Sequence, residues 1–264
     1  MEFLQTITLA LIQGITEFLP ISSSAHLLLP YHVLGWADQG LAFDTAMHLG
    51  SLVAVITYFR QNICQLIKAL FTALKQREHT DDSRFACYLL IASLPVLFVG
   101  FFGRYWIEAN LRALSVIIAS TALFALVLLA ADLMGRRSRV QQDLDLPSAL
   151  LIGISQCIAL IPGASRSGVT MTMALLLGFT REAASRISFL IAIPAIAGAS
   201  FLKTIDLISS GTTVNWTSMA LGGIIAGIAA FACIKLFLDL IDRVGFLPFI
   251  LYRLCLCAAL FLMI

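Results

Sequence analysis

The segment Gln13–His26 reads QGITEFLPISSSAH, and the segment Gln156–Gly168, about 140 residues further along, reads QCIALIPGASRSG. In each segment an apolar stretch runs into a proline, and a serine follows three positions later, Ser23 in the first and Ser165 in the second. A carboxylate, a histidine, an arginine and several hydroxyls therefore stand inside apolar sequence. Charge inside a membrane is costly and usually marks function. The repetition predicts two half-sites that meet at one place.

The composition is that of a membrane protein. The 264 residues are 60% hydrophobic and only 12% charged, with a mean hydropathy of +0.96. A soluble domain of this length could not bury so much apolar surface, so we predict an all-α integral membrane protein. The net charge of +2 is too small to indicate a nucleic-acid partner, and the basic residues lie in loops rather than in a stripe.

Six stretches are apolar over nearly the roughly 20 residues that a membrane-spanning helix needs. They are 43–60, 84–103, 110–134, 184–208, 214–238 and 244–264. Two further apolar regions, 3–34 and 147–178, are each interrupted near the middle by Pro-Ser or Pro-Gly, which leaves halves too short to span. Interrupted segments of this kind predict re-entrant helix pairs, which enter the membrane and return to the same side.

The basic residues predict the orientation. They cluster in two loops, at 60–84 and 136–139, and basic loops lie on the cytoplasmic side. Both termini then face away from the cytoplasm, and the two re-entrant pairs enter from opposite faces. We therefore predict one membrane domain, 1–264, built as an inverted-topology repeat with halves 1–134 and 135–264.

Glu17 is the first candidate for chemistry. Gln13 and Glu17 are four residues apart, so they share one face of a helix just before the break. An ionised carboxylate in apolar surroundings needs a cation, and oxygen ligands of this type suit Mg²⁺ or Ca²⁺. We predict that Glu17, helped by Gln13, is a metal ligand or an acid/base. The alternative is a buried pair that a neighbouring helix satisfies.

A run of three serines, at positions 22–24, stands where the next helix should begin, and serine commonly caps a helix N-terminus. His26 would lie in the first turn of that helix, near the same opening. A lone histidine is more often structural. Beside Glu17 and Ser23, however, His26 is predicted to be catalytic.

The segment Pro162–Thr170, PGASRSGVT, predicts a phosphate site. It offers backbone N–H groups next to glycines, three hydroxyls and an arginine at a helix N-terminus, where the helix dipole favours an anion. The alternative is a capped break in which Arg166 pairs with Glu17, a pair that would not exclude phosphate binding. If both breaks reach the same depth, Glu17 and Arg166 must be neighbours. The predicted phosphate ligands are Gly163, Ser165, Arg166, Ser167, Gly168 and Thr170.

The sequence leaves three other polar residues open. Asp44 and His48 are one turn apart and could line the site or lie at the membrane interface. Arg253, in the last predicted span, indicates snorkelling or a helix–helix hydrogen bond rather than chemistry.

At these motifs the chain resembles the undecaprenyl-diphosphate phosphatases of the bacterial bacitracin-resistance type, over essentially its whole length. Gln13-x-x-x-Glu17 matches the family's (Glu/Gln)-x-x-x-Glu motif, and the run from Glu17 to Ser23, with His26, matches the residues that follow it. Pro162–Thr170 matches the second motif without a gap. Because the first motif position is Gln13, a metal would gain one carboxylate there rather than two.

The resemblance implies hydrolysis of undecaprenyl diphosphate to undecaprenyl phosphate and inorganic phosphate. This reaction recycles the lipid carrier for cell-wall synthesis and confers bacitracin resistance. The resemblance also implies a divalent cation, Mg²⁺ or Ca²⁺. The expected location is the bacterial plasma (inner) membrane, with the site open to the outer face. The partner would be a polyprenyl diphosphate lipid, and a homodimer is compatible with the sequence.

For the mechanism, we expect Arg166 to hold the diphosphate, Ser23 to act as nucleophile and His26 to act as its base. In the alternative, His26 activates water directly and Ser23 only binds phosphate. A rival function is a transporter or flippase for a phosphorylated lipid, because many secondary transporters are inverted repeats with broken helices. Membrane phosphatases of the acid-phosphatase-like superfamily are a second rival, but their Pro-Ser-Gly-His element is absent here.

Overall fold

The computed structural model describes residues 3–36, 40–78, 80–210 and 215–262, and helices make up most of this part of the chain. Two short 3₁₀ segments, Gln141–Asp143 and Cys157–Leu160, accompany the α-helices. The α-helices are α1 (Phe3–Thr16), α2 (Ser23–Leu34), α3 (Leu41–Tyr58), α4 (Arg60–Gln76), α5 (Asp81–Asn110), α6 (Leu114–Met134), α7 (Leu146–Gln156), α8 (Arg166–Leu176), α9 (Arg181–Ser210), α10 (Trp216–Val244) and α11 (Leu247–Phe261).

Five of the described helices are long and apolar enough to cross a membrane, namely α3, α5, α6, α9 and α10. The sequence predicted six. The sixth predicted span, 244–264, is represented by α11, which has only 15 residues in the described part of the chain. It starts late because α10 continues to Val244 and Gly245 follows with a φ of 68°. The prediction of an all-helical membrane protein is confirmed.

Both interrupted regions are pairs of short helices, as predicted. The first consists of α1 and α2, with 14 and 12 residues, and the second of α7 and α8, with 11 residues each. Each helix is well below the roughly 20 residues that a span requires.

The two breaks end in the same backbone conformation. Ser22 has φ 73° and ψ 97°, and Ser165 has φ 70° and ψ 113°. Each serine caps the following helix: the Ser22 hydroxyl accepts the Ala25 N–H at 3.4 Å, and the Ser165 hydroxyl accepts the Gly168 N–H at 3.1 Å. Positive φ is rare outside glycine, so its occurrence at both serines shows that the two breaks share one local backbone geometry.

This geometry corrects the register of the repeat. The sequence paired Ser23 with Ser165 by their spacing from proline, whereas the caps pair Ser22 with Ser165. The next hydroxyls follow the same register, because Ser24 lies 3.1 Å from Ser22 and Ser167 lies 3.2 Å from Ser165. The N-cap position, rather than the distance from the proline, defines the equivalence.

Glycines fix where the first helix of each pair sits. A β-carbon on Gly14 of α1 would overlap the backbone carbonyl of Ala226 in α10. A β-carbon on Gly153 of α7 would lie 2.5 Å from the carbonyl oxygen of Ala92 in α5. Small residues allow such close backbone contact between membrane helices. These contacts hold α1 and α7 firmly against long helices and so set the position of the two breaks.

Candidate active site

The end of α1 and the start of α8 meet at one ion pair. Glu17 follows α1 directly, and its N–H still bonds the carbonyl of Gln13 at 3.0 Å. Arg166 is the first residue of α8, and its Nη2 donates to Glu17 Oε1 at 3.2 Å. The two side chains are only 7% and 14% exposed. The two breaks therefore share one buried site, as the sequence predicted.

Side chains from three helices lie near the second carboxylate oxygen of Glu17. Glu17 Oε2 accepts the Gln13 Nε2–H at 2.9 Å and the Ser23 hydroxyl at 2.7 Å. His48 Nε2, from α3, lies 3.9 Å from the same oxygen. Three side chains thus surround a carboxylate that is already charge-paired with Arg166, and Glu17 is the centre of the cluster.

His48 is brought to the site, whereas Asp44 is not. The His48 Nδ1 lies 2.7 Å from the Asp44 carbonyl oxygen. Because a carbonyl only accepts, Nδ1 carries a hydrogen, and Nε2 is the ring nitrogen that faces Glu17. Asp44 instead lines a cavity of about 910 Å³ that also contacts α5, α9 and Pro162 of the second break, a volume in the range of ligand pockets. The sequence left both residues open.

His26 is not hydrogen-bonded to Ser23 in this structure, and its predicted role as the base for Ser23 stays a prediction. Its Nδ1 lies 2.7 Å from the Ser22 carbonyl oxygen, and its Nε2 lies 2.6 Å from the Tyr252 hydroxyl of α11. The Tyr252 ring also stacks on the imidazole at 5.5 Å between centroids. Since the carbonyl only accepts, Nδ1 carries the hydrogen, and the neutral ring accepts the Tyr252 hydroxyl at Nε2. Both ring nitrogens are therefore engaged away from Ser23.

Several predicted phosphate ligands bond to protein groups. The Ser167 hydroxyl donates to the Leu19 carbonyl at 2.7 Å, which ties the second break to the first. The Thr170 hydroxyl contacts the Ser188 hydroxyl of α9 at 2.8 Å. Gly163 has a φ of 95° and is packed against α6, where a β-carbon would overlap hydroxyl and carbonyl oxygens. These residues shape the break, and their role toward phosphate stays a prediction.

Arg166 is held in place by three kinds of contact. Besides Glu17, its Nη1 donates to the Ser188 carbonyl at 3.3 Å, and its guanidinium lies 5.7 Å from the centre of the Phe18 ring. Such multiple anchoring favours a planar guanidinium over a flexible ammonium. The fork is thus preorganised beside the N-terminus of α8.

The oxygen atoms near Glu17 fit a divalent cation. Gln13 Oε1 is buried without a hydrogen-bond partner, which is costly for a polar atom. With a Glu17 oxygen it would supply two protein ligands, and Mg²⁺ typically takes one or two carboxylates and completes its shell with water and phosphate. Among the described residues no group of three His, Cys, Asp or Glu side chains forms a richer metal site.

Sequence reasoning missed two residues of α11. Tyr252 gave no signal, because an aromatic residue is ordinary in an apolar span. Arg253 was expected to snorkel or to form a helix–helix hydrogen bond; because it is fully buried, it does not snorkel. It donates to the backbone carbonyls of Pro20 at 3.3 Å, Gly163 at 2.9 Å and Ala164 at 3.2 Å. The only available signal was a single charged residue in an otherwise apolar span.

Comparison with known proteins identifies the family of this chain. The family model described as "Bacitracin resistance protein BacA" matches residues 6–259. Proteins named undecaprenyl-diphosphatase from Alteromonas mediterranea and Alcanivorax borkumensis are each 48% identical over 260 residues, 98% of both chains. A protein named undecaprenyl-diphosphatase 2 from Stutzerimonas stutzeri is 48% identical over 263 residues, covering 98% of this chain and 97% of that protein. The chain therefore belongs to the bacitracin resistance protein BacA family.

Proposed function

We infer that this chain hydrolyses undecaprenyl diphosphate to undecaprenyl phosphate and inorganic phosphate. It is a membrane enzyme that recycles the lipid carrier of cell-wall synthesis, and this activity confers bacitracin resistance. Similarity at 48% identity over nearly the full length to proteins named for this activity supports the inference. The structural observation that carries it is the buried contact between Glu17 and Arg166 where the two helix breaks meet.

We propose the following arrangement in the bacterial inner membrane. Helices α3, α5, α6, α9, α10 and α11 cross the bilayer, and the pairs α1–α2 and α7–α8 are re-entrant from opposite faces. The matching caps at Ser22 and Ser165 support an inverted-topology repeat with halves 1–134 and 135–264. The site would open to the outer face. A homodimer stays a prediction, which cross-linking in native membranes tests.

The substrate's diphosphate binds at the N-terminus of α8. Arg166 turns from Glu17 to the phosphate oxygens, because a bidentate guanidinium and a helix N-terminus both favour a phosphate. Gln13 and Glu17 are the residues that would hold a divalent cation. When bound, the cation supplies positive charge to the phosphoryl oxygens. These charges and the fixed geometry would provide most of the rate enhancement.

Ser23 is the proposed nucleophile, and its hydrogen bond to Glu17 supports Glu17 as the proton acceptor. The Ser23 hydroxyl already points at Glu17 Oε2, 2.7 Å away. Its oxygen forms a bond to the terminal phosphorus, the bond to the bridging oxygen breaks, and undecaprenyl phosphate leaves. Water then attacks the phosphorus of the phosphoserine, and the bond from phosphorus to the serine oxygen breaks. That oxygen takes the proton back from Glu17, which restores Ser23, and inorganic phosphate leaves with the water oxygen and its protons. In the alternative, His26 activates water directly, but both its ring nitrogens are engaged.

Phosphate release by the purified protein in detergent tests the function. We expect release from undecaprenyl diphosphate, loss of release with a chelator, and recovery on adding Mg²⁺ or Ca²⁺. The paired broken helices favour a lipid transporter as the second candidate function. Lipid movement in proteoliposomes without any phosphate release would support that alternative and contradict the hydrolase.

A further inference from the structure

Arg253 joins the two breaks from a third element. The side chain is fully buried in α11, yet its three hydrogen bonds go to carbonyls of both breaks, at Pro20 in the first and at Gly163 and Ala164 in the second. The carbonyls at Gly163 and Ala164 precede the cap of α8. One planar guanidinium thus fixes the distance between two loops that lie more than 140 residues apart in the sequence.

The charge of Arg253 has no carboxylate partner within 4.0 Å among the described residues; its hydrogen bonds there go to backbone carbonyls. Burying a charge in this way is expensive, and a packed apolar side chain would stabilise the fold better. The other ion pair that joins the two breaks is already balanced, because Glu17 and Arg166 offset each other. Together, Glu17, Arg166 and Arg253 therefore carry one excess positive charge.

That charge lies beside the start of α8. A β-carbon on Gly168, in the first turn of α8, would come within 3.1 Å of Arg253 Nη1. The N-terminal dipole of α8 has the same sign as the guanidinium, so the two together attract an anion more strongly than either alone. Tyr252, the preceding residue of α11, holds His26.

We propose that Arg253 is a positioning residue for diphosphate hydrolysis. It holds the two breaks in register, and its excess charge is balanced only when the diphosphate binds. This inference rests on the proposed function. In this proposal, α11 holds together the two breaks that form the site.

Three variants test the proposal, Arg253→Met, Arg253→Gln and Arg253→Lys. For each, calorimetry measures the affinity for methylenediphosphonate, a diphosphate that is not hydrolysed, and a phosphate-release assay measures kcat and KM. We expect Arg253→Met and Arg253→Gln to weaken diphosphonate binding by about tenfold or more, and kcat to fall by about a hundredfold as the breaks shift. Arg253→Lys should restore binding but not kcat, because an ammonium cannot bridge three carbonyls.

Arg181→Lys is the matched control, because Arg181 makes two bonds to buried Asp132 at 2.7 Å outside the site. It should lower the unfolding temperature and leave diphosphonate affinity unchanged. Wild-type affinity and kcat in Arg253→Met would overturn the proposal, and so would loss of folding in all three variants, which would make Arg253 purely structural. Diphosphonate binding is measured without turnover, so it tests the role of Arg253 independently of catalysis. A wild-type protein that releases no phosphate would contradict the proposed function, and that result is distinct from the binding result.

Discussion

Glu17 Oε1 and Arg166 Nη2 lie 3.2 Å apart, although the two residues are separated by 149 positions in the sequence. Each charge makes the burial of the other tolerable. In the proposed mechanism, the pair also keeps the phosphate-binding Arg166 beside the proton acceptor Glu17, so a diphosphate that displaces Glu17 from Arg166 would meet both side chains.

Arg166→Lys should lower turnover at least about tenfold. The substitution keeps the charge but loses the planar fork, and one lost charge-assisted contact costs about 1.5–3 kcal/mol. Phosphate release at saturating substrate measures the effect. Arg243→Lys, at an exposed residue near the end of α10, is the control and should be neutral. Near-normal activity in Arg166→Ala would remove Arg166 from the site.

Glu17→Gln should destabilise the protein by about 3–5 kcal/mol, because it leaves Arg166 buried without a counter-charge. Activity should be lost as well. Glu182→Gln, which breaks a half-exposed pair with Arg186, is the control and should cost about 1 kcal/mol or less. Reversible unfolding in detergent compares them. Equal stability of the two variants would show that Glu17 and Arg166 do not depend on each other.

His26 should be the Nδ1–H tautomer in the resting protein. Side-chain ¹⁵N shifts of histidine-labelled protein report the tautomer, and a His26→Gln variant assigns its signals among the four histidines. Tyr252→Phe should move the Nε2 signal toward that of a free imine nitrogen, because the ring loses its hydroxyl donor. Tyr105→Phe should leave it unchanged. An Nε2–H tautomer in the wild-type protein would contradict the assigned bond directions.

Thiol labelling tests the orientation. A cysteine at Asn110, exposed at the end of α5, should react with an impermeant reagent added outside spheroplasts, whereas one at the exposed loop residue Ser138 should not. Asp38 and Thr212, which lie outside the described residues, should also react. Labelling at Ser138 instead of Asn110 would invert the topology and place the site on the cytoplasmic side.

The sequence predicted the two breaks and the Glu17–Arg166 contact, because prolines interrupt both apolar segments and each charge inside the membrane needs an opposite charge nearby. The register of the caps could not be predicted, because a run of three serines does not indicate which of them has a positive φ. The partners of His26 and Arg253 come from α11, and only the packed structure determines which helix faces a given break.

The glycine contacts have a consequence for how the chain is made. Through Gly14, α1 lies against α10, a helix of the second half, and through Gly153, α7 lies against α5, a helix of the first. Each half therefore supplies the support for the other's broken helix. During synthesis, the contact between α1 and α10 cannot form until more than 200 residues after Gly14 have been made. The halves 1–134 and 135–264 are thus interlocked, and a product that stops between them would hold neither break in place.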